Sequence, residues 1–311
     1  MHHPPTPPTT DRHLGALLGT ALGDALGAPF EGRRGVPTRE IGDLIHASSP
    51  LRWTDDTHMA IALAESLLAS DGTVDPQHLG DTFAAAFRDQ PWRGYAGGPP
   101  RVFALAAQGH TYLDAARTLY QGGSYGNGGA MRTAPAAIVA YPDLTRATQL
   151  AAAQASITHA HPVGIDGAVL LTGAIVTVTG DEPTGGGSSI DLSPIVEHLT
   201  STPMQERLAA IIQAANDPDE LMGLARHFGS GVAAVQSVPT ALAVFLAHRN
   251  DPLATITAAI TLGRDTDTVA AMAGALAGAH HGATRLPEHL LERLEDRERI
   301  ETLAQQLAVL A

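Results

Sequence analysis

Gly15, Gly19, Gly23 and Gly27 recur at strict i, i+4 spacing within RHLGALLGTALGDALG. In a helix such residues stack along one face. Each interior glycine costs about 1 kcal/mol relative to alanine, so a run of them needs an offsetting contact. Close approach to a second helix, across a face without side chains, supplies it; Gly27 also suits a helix end. Leu14, Leu17, Leu18, Ala21, Leu22 and Ala25 recur at helical spacing beside the stripe. The segments 59–70, 78–90 and 268–282 repeat this Ala/Leu/Gly texture. The run 168–180 is richer in Val and Thr, but its length favours a buried helix.

With aromatics at 4% and 32 glycines, the core must be built from Ala, Leu, Val and Ile, which suits packed helices better than sheets. The sequence therefore predicts an all-α fold in one compact helical domain over residues 11–311. A Pro/Thr-rich tail, 1–10, is expected to be disordered. The Gly/Ser-rich stretch 180–194 reads as an excursion within the domain, because the texture is the same on both sides.

The charge balance, 19 Lys+Arg against 32 Asp+Glu for a net −13, disfavours nucleic acid as a partner, since a phosphate backbone needs a basic footprint. It leaves room for a small anion in a local pocket. The chain has no cysteine, which excludes thiol nucleophiles and thiolate-ligated zinc. MHHPPTPPTT lacks the apolar stretch of a signal peptide, and no uncharged apolar run reaches the roughly 20 residues that cross a bilayer. A cytoplasmic monomer without a membrane partner is the expectation.

Trp53-Thr54-Asp55-Asp56-Thr57 stands immediately before a helical pattern. Thr54 suits an N-cap, and acids in a first turn complement the helix dipole. Capping alone explains this motif until Gly263-Arg264-Asp265-Thr266-Asp267-Thr268 is seen to open another Ala/Gly-rich helix some two hundred residues later. Brought together, the two motifs give four carboxylates and several hydroxyls. Crowded carboxylates repel, and an all-oxygen set suits hard cations, Mg²⁺ or Mn²⁺. Four carboxylates are generous for one ion, which points to two.

Two glycine-rich segments read as ligand loops: Arg93-Gly94-Tyr95-Ala96-Gly97-Gly98-Pro99-Pro100 and Gly122–Gly129, which contains Ser124-Tyr125-Gly126-Asn127-Gly128. Glycine lets backbone N–H groups approach a phosphate, and neither loop is a Walker A or a GxGxxG. Tyr95 and Tyr125 can stack on a base or sugar. In Thr158-His159-Ala160-His161-Pro162, His159 is assigned a hydrogen-bonding role and His161 none. His280 and His281 are expected to face solvent at a helix end. Glu31 lies in a Pro/Gly-bracketed loop after the first helix.

GALLGTALGDALGAPFEG, WTDDT, GSYGNGGAMR, THAHP and GRDTDTVAAMAGALAG follow one another as in the ADP-ribosylglycohydrolase family, which the chain resembles over roughly residues 12–311. The resemblance implies a compact all-α fold with orthogonal helices and two Mg²⁺ or Mn²⁺ ions at the bottom of an ADP-ribose cleft. Carried over residue by residue, it makes Thr54, Asp55, Asp56, Asp265, Asp267 and Thr268 the metal ligands. Glu31 matches a glutamate on a mobile flap. Gly94, Gly97 and Gly98, with Ser124, Tyr125, Gly126, Asn127 and Gly128, match the loops holding ribose and diphosphate, and His159 matches a ligand-contacting histidine. Arg264, where many members have glycine, and Pro99-Pro100 depart from the pattern.

The expected function is hydrolysis of the glycosidic bond between ADP-ribose and an acceptor, either a modified protein or a small conjugate. Asp56 or Glu31 would act as general acid or base. An oxygen-linked acceptor (serine, O-acetyl or poly(ADP-ribose)) is favoured over arginine on two grounds. The loops and SVPTALAVFL resemble serine-type members, and 93–100 has no carboxylate for a guanidinium. The rivals are a two-metal phosphoesterase and a crystallin-like protein that binds without turnover. Intact Asp at all four positions argues against the second.

Overall fold

A computed structural model describes residues 9–181 and 190–311. Among them run sixteen α-helices: α1 (Thr9–Gly27), α2 (Thr38–His46), α3 (Asp55–Ala69), α4 (Pro76–Asp89), α5 (Gly98–Ala106), α6 (Tyr112–Leu119), α7 (Ala134–Ala140), α8 (Leu144–Ser156), α9 (Pro162–Gly180), α10 (Thr202–Ala214), α11 (Pro218–Phe228), α12 (Ala234–Ala247), α13 (Pro252–Thr261), α14 (Thr266–His281), α15 (Glu288–Leu291) and α16 (Arg297–Leu310). No strand forms among the described residues, which carry two isolated bridges, Leu51–Leu294 and Gly126–Ala233. The expected all-α single domain is what the chain adopts. Several helices start on an Asp-Pro pair: Asp75, Asp217 and Asp251 each accept two backbone N–H bonds, with proline next in line. Proline lacks the N–H that a first turn leaves unpaired, so the pair fixes each start twice over.

The glycine stripe is buried along α14. A Cβ at Gly15 would lie 2.1 Å from the Gly278 carbonyl oxygen, one at Gly19 2.1 Å from that of Gly274, and one at Gly23 2.0 Å from that of Ala270. The helices run antiparallel with their backbones touching, because helix separation is set by the side chains between the axes and here there are none. Gly27 ends α1 against Thr266, whose hydroxyl donates to the Gly27 carbonyl at 2.9 Å. The C-terminus of α1 therefore meets the N-terminus of α14.

Helix α9 is the buried helix expected over 168–180. It is long and apolar enough, by length and composition, to cross a membrane, yet 78% of its most apolar window is buried inside the protein. Asp166 within it is buried and accepts bonds from the backbone and hydroxyls of Thr200 and Ser201. A correction concerns His280 and His281, which are 5% and 9% exposed rather than solvent-facing. The end of α14 lies under α12, where His280 packs edge-on against Phe245 and His281 Nε2 meets the Arg249 carbonyl at 2.6 Å. Helix α1 starts at Thr9, inside the expected tail, and residues 1–8 lie outside the described residues, as does 182–189 within the 180–194 stretch.

Candidate active site

Three helix ends converge at the site: the last turns of α1 and the first turns of α3 and α14. Asp24, near the end of α1, is fully buried. Its carboxylate accepts the Thr54 and Thr57 backbone N–H groups at 3.0 Å and the Thr57 hydroxyl at 2.6 Å. Capping of α3 is thus shared between Thr54, which accepts from the Asp56 N–H at 3.4 Å, and an aspartate thirty residues upstream. Asp55 donates its N–H to the Arg93 carbonyl at 2.7 Å. The Arg93 guanidinium lies 3.7 Å from the Trp53 ring centroid and forks onto Glu295 at 2.7 and 3.0 Å. The acidic motif is thereby tied to the loop that begins at Gly94.

At α14 the Asp265 carboxylate accepts from Asn127 Nδ2 at 2.6 Å, and the same amide donates to Ser237 Oγ at 3.0 Å. Arg264 holds a left-handed backbone with φ of +67° and an exposed side chain. Its carbonyl accepts from the Gly32 N–H at 2.7 Å, while its own N–H donates to the Arg33 carbonyl. That two-way clamp keeps the loop carrying Glu31 over α14. Carboxylate oxygens of Glu31, Asp265 and Asp267 lie within 4.8 Å of one another.

The electrostatics distinguish this arrangement from capping. Burial, with Asp24 next, pushes Asp55 up to about 7. Burial, with Asp265 next, pushes Asp267 up to about 9. Asp24, Asp56 and Asp265 are raised too, chiefly by burial. No lysine or arginine pairs with these acids in the salt bridges of the described residues. Asp56 Oδ1 and Asp267 Oδ1 are buried without a hydrogen-bond partner. Unpartnered buried oxygens among like charges are destabilising unless a cation completes them, so the residues present fit hard divalent ions.

The cluster forms the base of a cleft of about 420 Å³, within the usual range for a small-molecule site. Glu31, Asp55, Asp56, Asp265, Asp267 and Thr268 line it together with Gly94, Gly97, Gly98, Ser124, Tyr125, Gly126, Asn127, Gly128 and His159. Thr54 is the exception among the expected residues. It lines the neighbouring groove with Arg52 and Trp92, and its hydroxyl donates to Asp56 Oδ2 at 3.2 Å. Tyr125, 59% exposed, stands at the rim with Tyr120. Tyr95, expected to stack on a ligand, instead packs edge-on against Phe87 and places its hydroxyl 2.9 Å from His58 Nδ1. Pro99 and Pro100 open α5. His161 caps α9 by accepting the Val163 N–H at 3.1 Å. Sequence reasoning missed Asp24 and Ser237; for Asp24 the signal was one acid inside an otherwise apolar glycine helix.

Fold and site together define the class: an all-α enzyme whose acidic centre, at the foot of a glycine-walled cleft, fits divalent cations. The chain belongs to the ADP-ribosylglycohydrolase family, whose model matches residues 5–311, and it is a glycosyl hydrolase. It is 34% identical to ADP-ribosylhydrolase ARH3 of Bos taurus, over 95% of this chain and 92% of that protein. It is 32% identical to the Homo sapiens protein of that name, over 95% and 92%. An uncharacterized Escherichia coli protein, YegU, is 29% identical over 92% of each chain. A solved structure described as an ADP-ribosylglycohydrolase-related protein complex superposes with a TM-score of 0.75 at 28% identity, covering 97% of this chain and 98% of that one.

Proposed function

We propose that the enzyme hydrolyses the bond between ADP-ribose and an oxygen-linked acceptor, with two divalent ions, Mg²⁺ or Mn²⁺, held by Asp55, Asp56, Asp265, Asp267 and the Thr268 hydroxyl. When bound, such ions supply positive charge against the ribose hydroxyls and the water that attacks the anomeric carbon. The protein's own groups do the rest. The glycine loops at Gly94–Gly98 and Ser124–Gly128 leave room for main-chain N–H groups to approach the sugar and diphosphate. Cleavage passes through an oxocarbenium-like state.

Of the two candidate acid–base residues, Glu31 is exposed while Asp56 is buried with Oδ2 bonded to Thr54. Glu31 can therefore exchange protons with solvent, and we assign it the transfer.

The linkage reading rests on one observation. The acids lining the cleft among the described residues are Glu31, Asp55, Asp56, Asp265 and Asp267, all in the cluster. With the four aspartates engaged by cations and Glu31 by the proton transfer, none remains to grip a guanidinium bidentately. Rates measured side by side on ADP-ribosyl-serine peptide, O-acetyl-ADP-ribose, poly(ADP-ribose) and ADP-ribosyl-arginine peptide test it. Faster cleavage of the arginine linkage by tenfold, about 1.4 kcal/mol in barrier, reverses the assignment.

A further inference from the structure

Directly behind the cleft wall, Arg132 is buried to 0% exposure, yet no carboxylate pairs with it in the salt bridges of the described residues. Its Nε donates to Gln154 Oε1 at 2.8 Å. Its Nη2 donates to the Gln154 carbonyl at 2.9 Å and to Thr158 Oγ1 at 3.0 Å. The guanidinium carbon sits 4.2 Å from the Phe83 ring centroid. Thr158 Oγ1 in turn lies 2.8 Å from His159 Nδ1.

Proton counting gives this chain a direction. A guanidinium can only donate, so Thr158 Oγ1 accepts from Arg132. The hydroxyl proton then needs an acceptor of its own, and His159 Nδ1 is the partner available to it. With Nδ1 accepting, the proton of a neutral imidazole resides on Nε2. The Nε2 edge faces the glycine loop: a Cβ at Gly128 would lie 2.9 Å from Nε2, and one at Gly126 3.3 Å from it. Both positions lack a side chain, so this edge stays open to the cleft.

We infer that Arg132 and Thr158 are positioning residues that commit His159 to its Nε2–H tautomer, making it a fixed hydrogen-bond donor to an acceptor oxygen of the bound ADP-ribose. Burial, followed by the charge of Arg132, holds His159 down at about 3, so the ring is neutral and offers one donor rather than two. An Nδ1–H tautomer would turn a lone pair on the same ligand oxygen. The inference rests on the ADP-ribose reading for its ligand, but the tautomer itself is a property of the free protein.

The test uses the full chain with ¹⁵N-labelled histidine, ligand-free at pH 7.5, with the His159 signals assigned by their loss in His159→Gln. The expected spectrum shows His159 with pyrrole-type Nε2 and pyridine-type Nδ1. Thr158→Val, which keeps the shape and removes the hydroxyl, should mix the tautomers and weaken ADP-ribose binding at least tenfold. It should also raise KM more than it lowers kcat. Thr158→Ser should restore both tautomer and affinity. A wild-type His159 protonated on Nδ1 overturns the inference even if no variant folds. So does a folded Thr158→Val with unchanged tautomer and affinity. Failure of the wild type to bind ADP-ribose would count against the proposed function instead, leaving the tautomer to be decided by the spectrum.

Discussion

Gly19 and Gly274 meet backbone to backbone: a Cβ built on either would fall within 2.1–2.2 Å of the other's carbonyl oxygen. No rotamer relieves such a clash, since both partners are main chain. Gly19→Ala and Gly274→Ala should therefore each lower stability by about 3 kcal/mol or more, at or beyond the upper end of overpacking costs. Gly42→Ala in α2, where nothing lies within 4 Å, is the control. It should be neutral or stabilising by up to about 1 kcal/mol. Urea titrations of the three variants check this; a Gly19→Ala protein as stable as wild type would show that the helices can part.

Stability should depend on pH in a direction set by the crowded acids. Asp55 and Asp267 sit at about 7 and about 9, above the ordinary carboxylate value that they regain on unfolding. The folded state therefore binds more protons between pH 4 and 9. Below about pH 6.5 the buried neutral histidines His13, His58, His159 and His280 oppose this, because they gain protons on unfolding; in EDTA the protein should therefore lose stability as pH rises from that point through 7 and 9. Cations displace those protons, so the Tm increment from added Mn²⁺ should be larger at pH 8.5 than at pH 5.5. An increment that is constant or shrinks with pH contradicts the cation assignment.

Asp267→Asn separates site from scaffold. Its Oδ1 is buried and unpartnered, so removing the charge relieves repulsion at little structural loss. At pH 8.5 in EDTA the variant should melt at or above the wild-type temperature. With Mn²⁺ it should gain less than the wild type, and turnover should fall at least a hundredfold. A variant that simply unfolds would restore helix capping as the purpose of these acids.

Arg93 connects the acidic motif to the Gly94–Gly98 loop through its stacking on Trp53 and its fork onto Glu295. Lysine keeps the charge but loses the planar fork and the stack. Arg93→Lys should cost about 1–2 kcal/mol of stability and raise KM for ADP-ribosyl substrates several-fold. Calorimetry and initial rates measure both; an unchanged KM would mean the loop holds its place without the arginine.

The stripe and the paired acids were legible in the sequence because both are local patterns. The i, i+4 glycines announce a side-chain-free face, and Asp-x-Asp or Asp-Asp beside threonine announces an oxygen-rich helix start. What escaped was non-local. Asp24 acts on Thr54 and Thr57 across thirty residues, and no spacing rule connects them. Thr54 itself fitted two roles, cap and ligand, and only the three-dimensional structure turns its hydroxyl onto Asp56. His280 and His281 read as a polar helix end, yet the packing of α12 buries that end. Tyr95 followed the same logic in reverse: it lies in the ligand loop by sequence, but His58 and Phe87 draw its ring into the wall.

The α1–α14 seam has a consequence for the acidic centre. Asp24 and Glu31 follow from one of these helices, while Asp265, Asp267 and Thr268 belong to the start of the other. In most proteins the spacing between two such groups is mediated by core side chains, which hop between rotamers and drift under substitution. Here the spacer is bare peptide. The seam works as a ruler graduated in covalent bond lengths, and the distance across the acidic centre is copied from it. Mutation elsewhere in the core can soften or stiffen the protein without rescaling the gap between those acids.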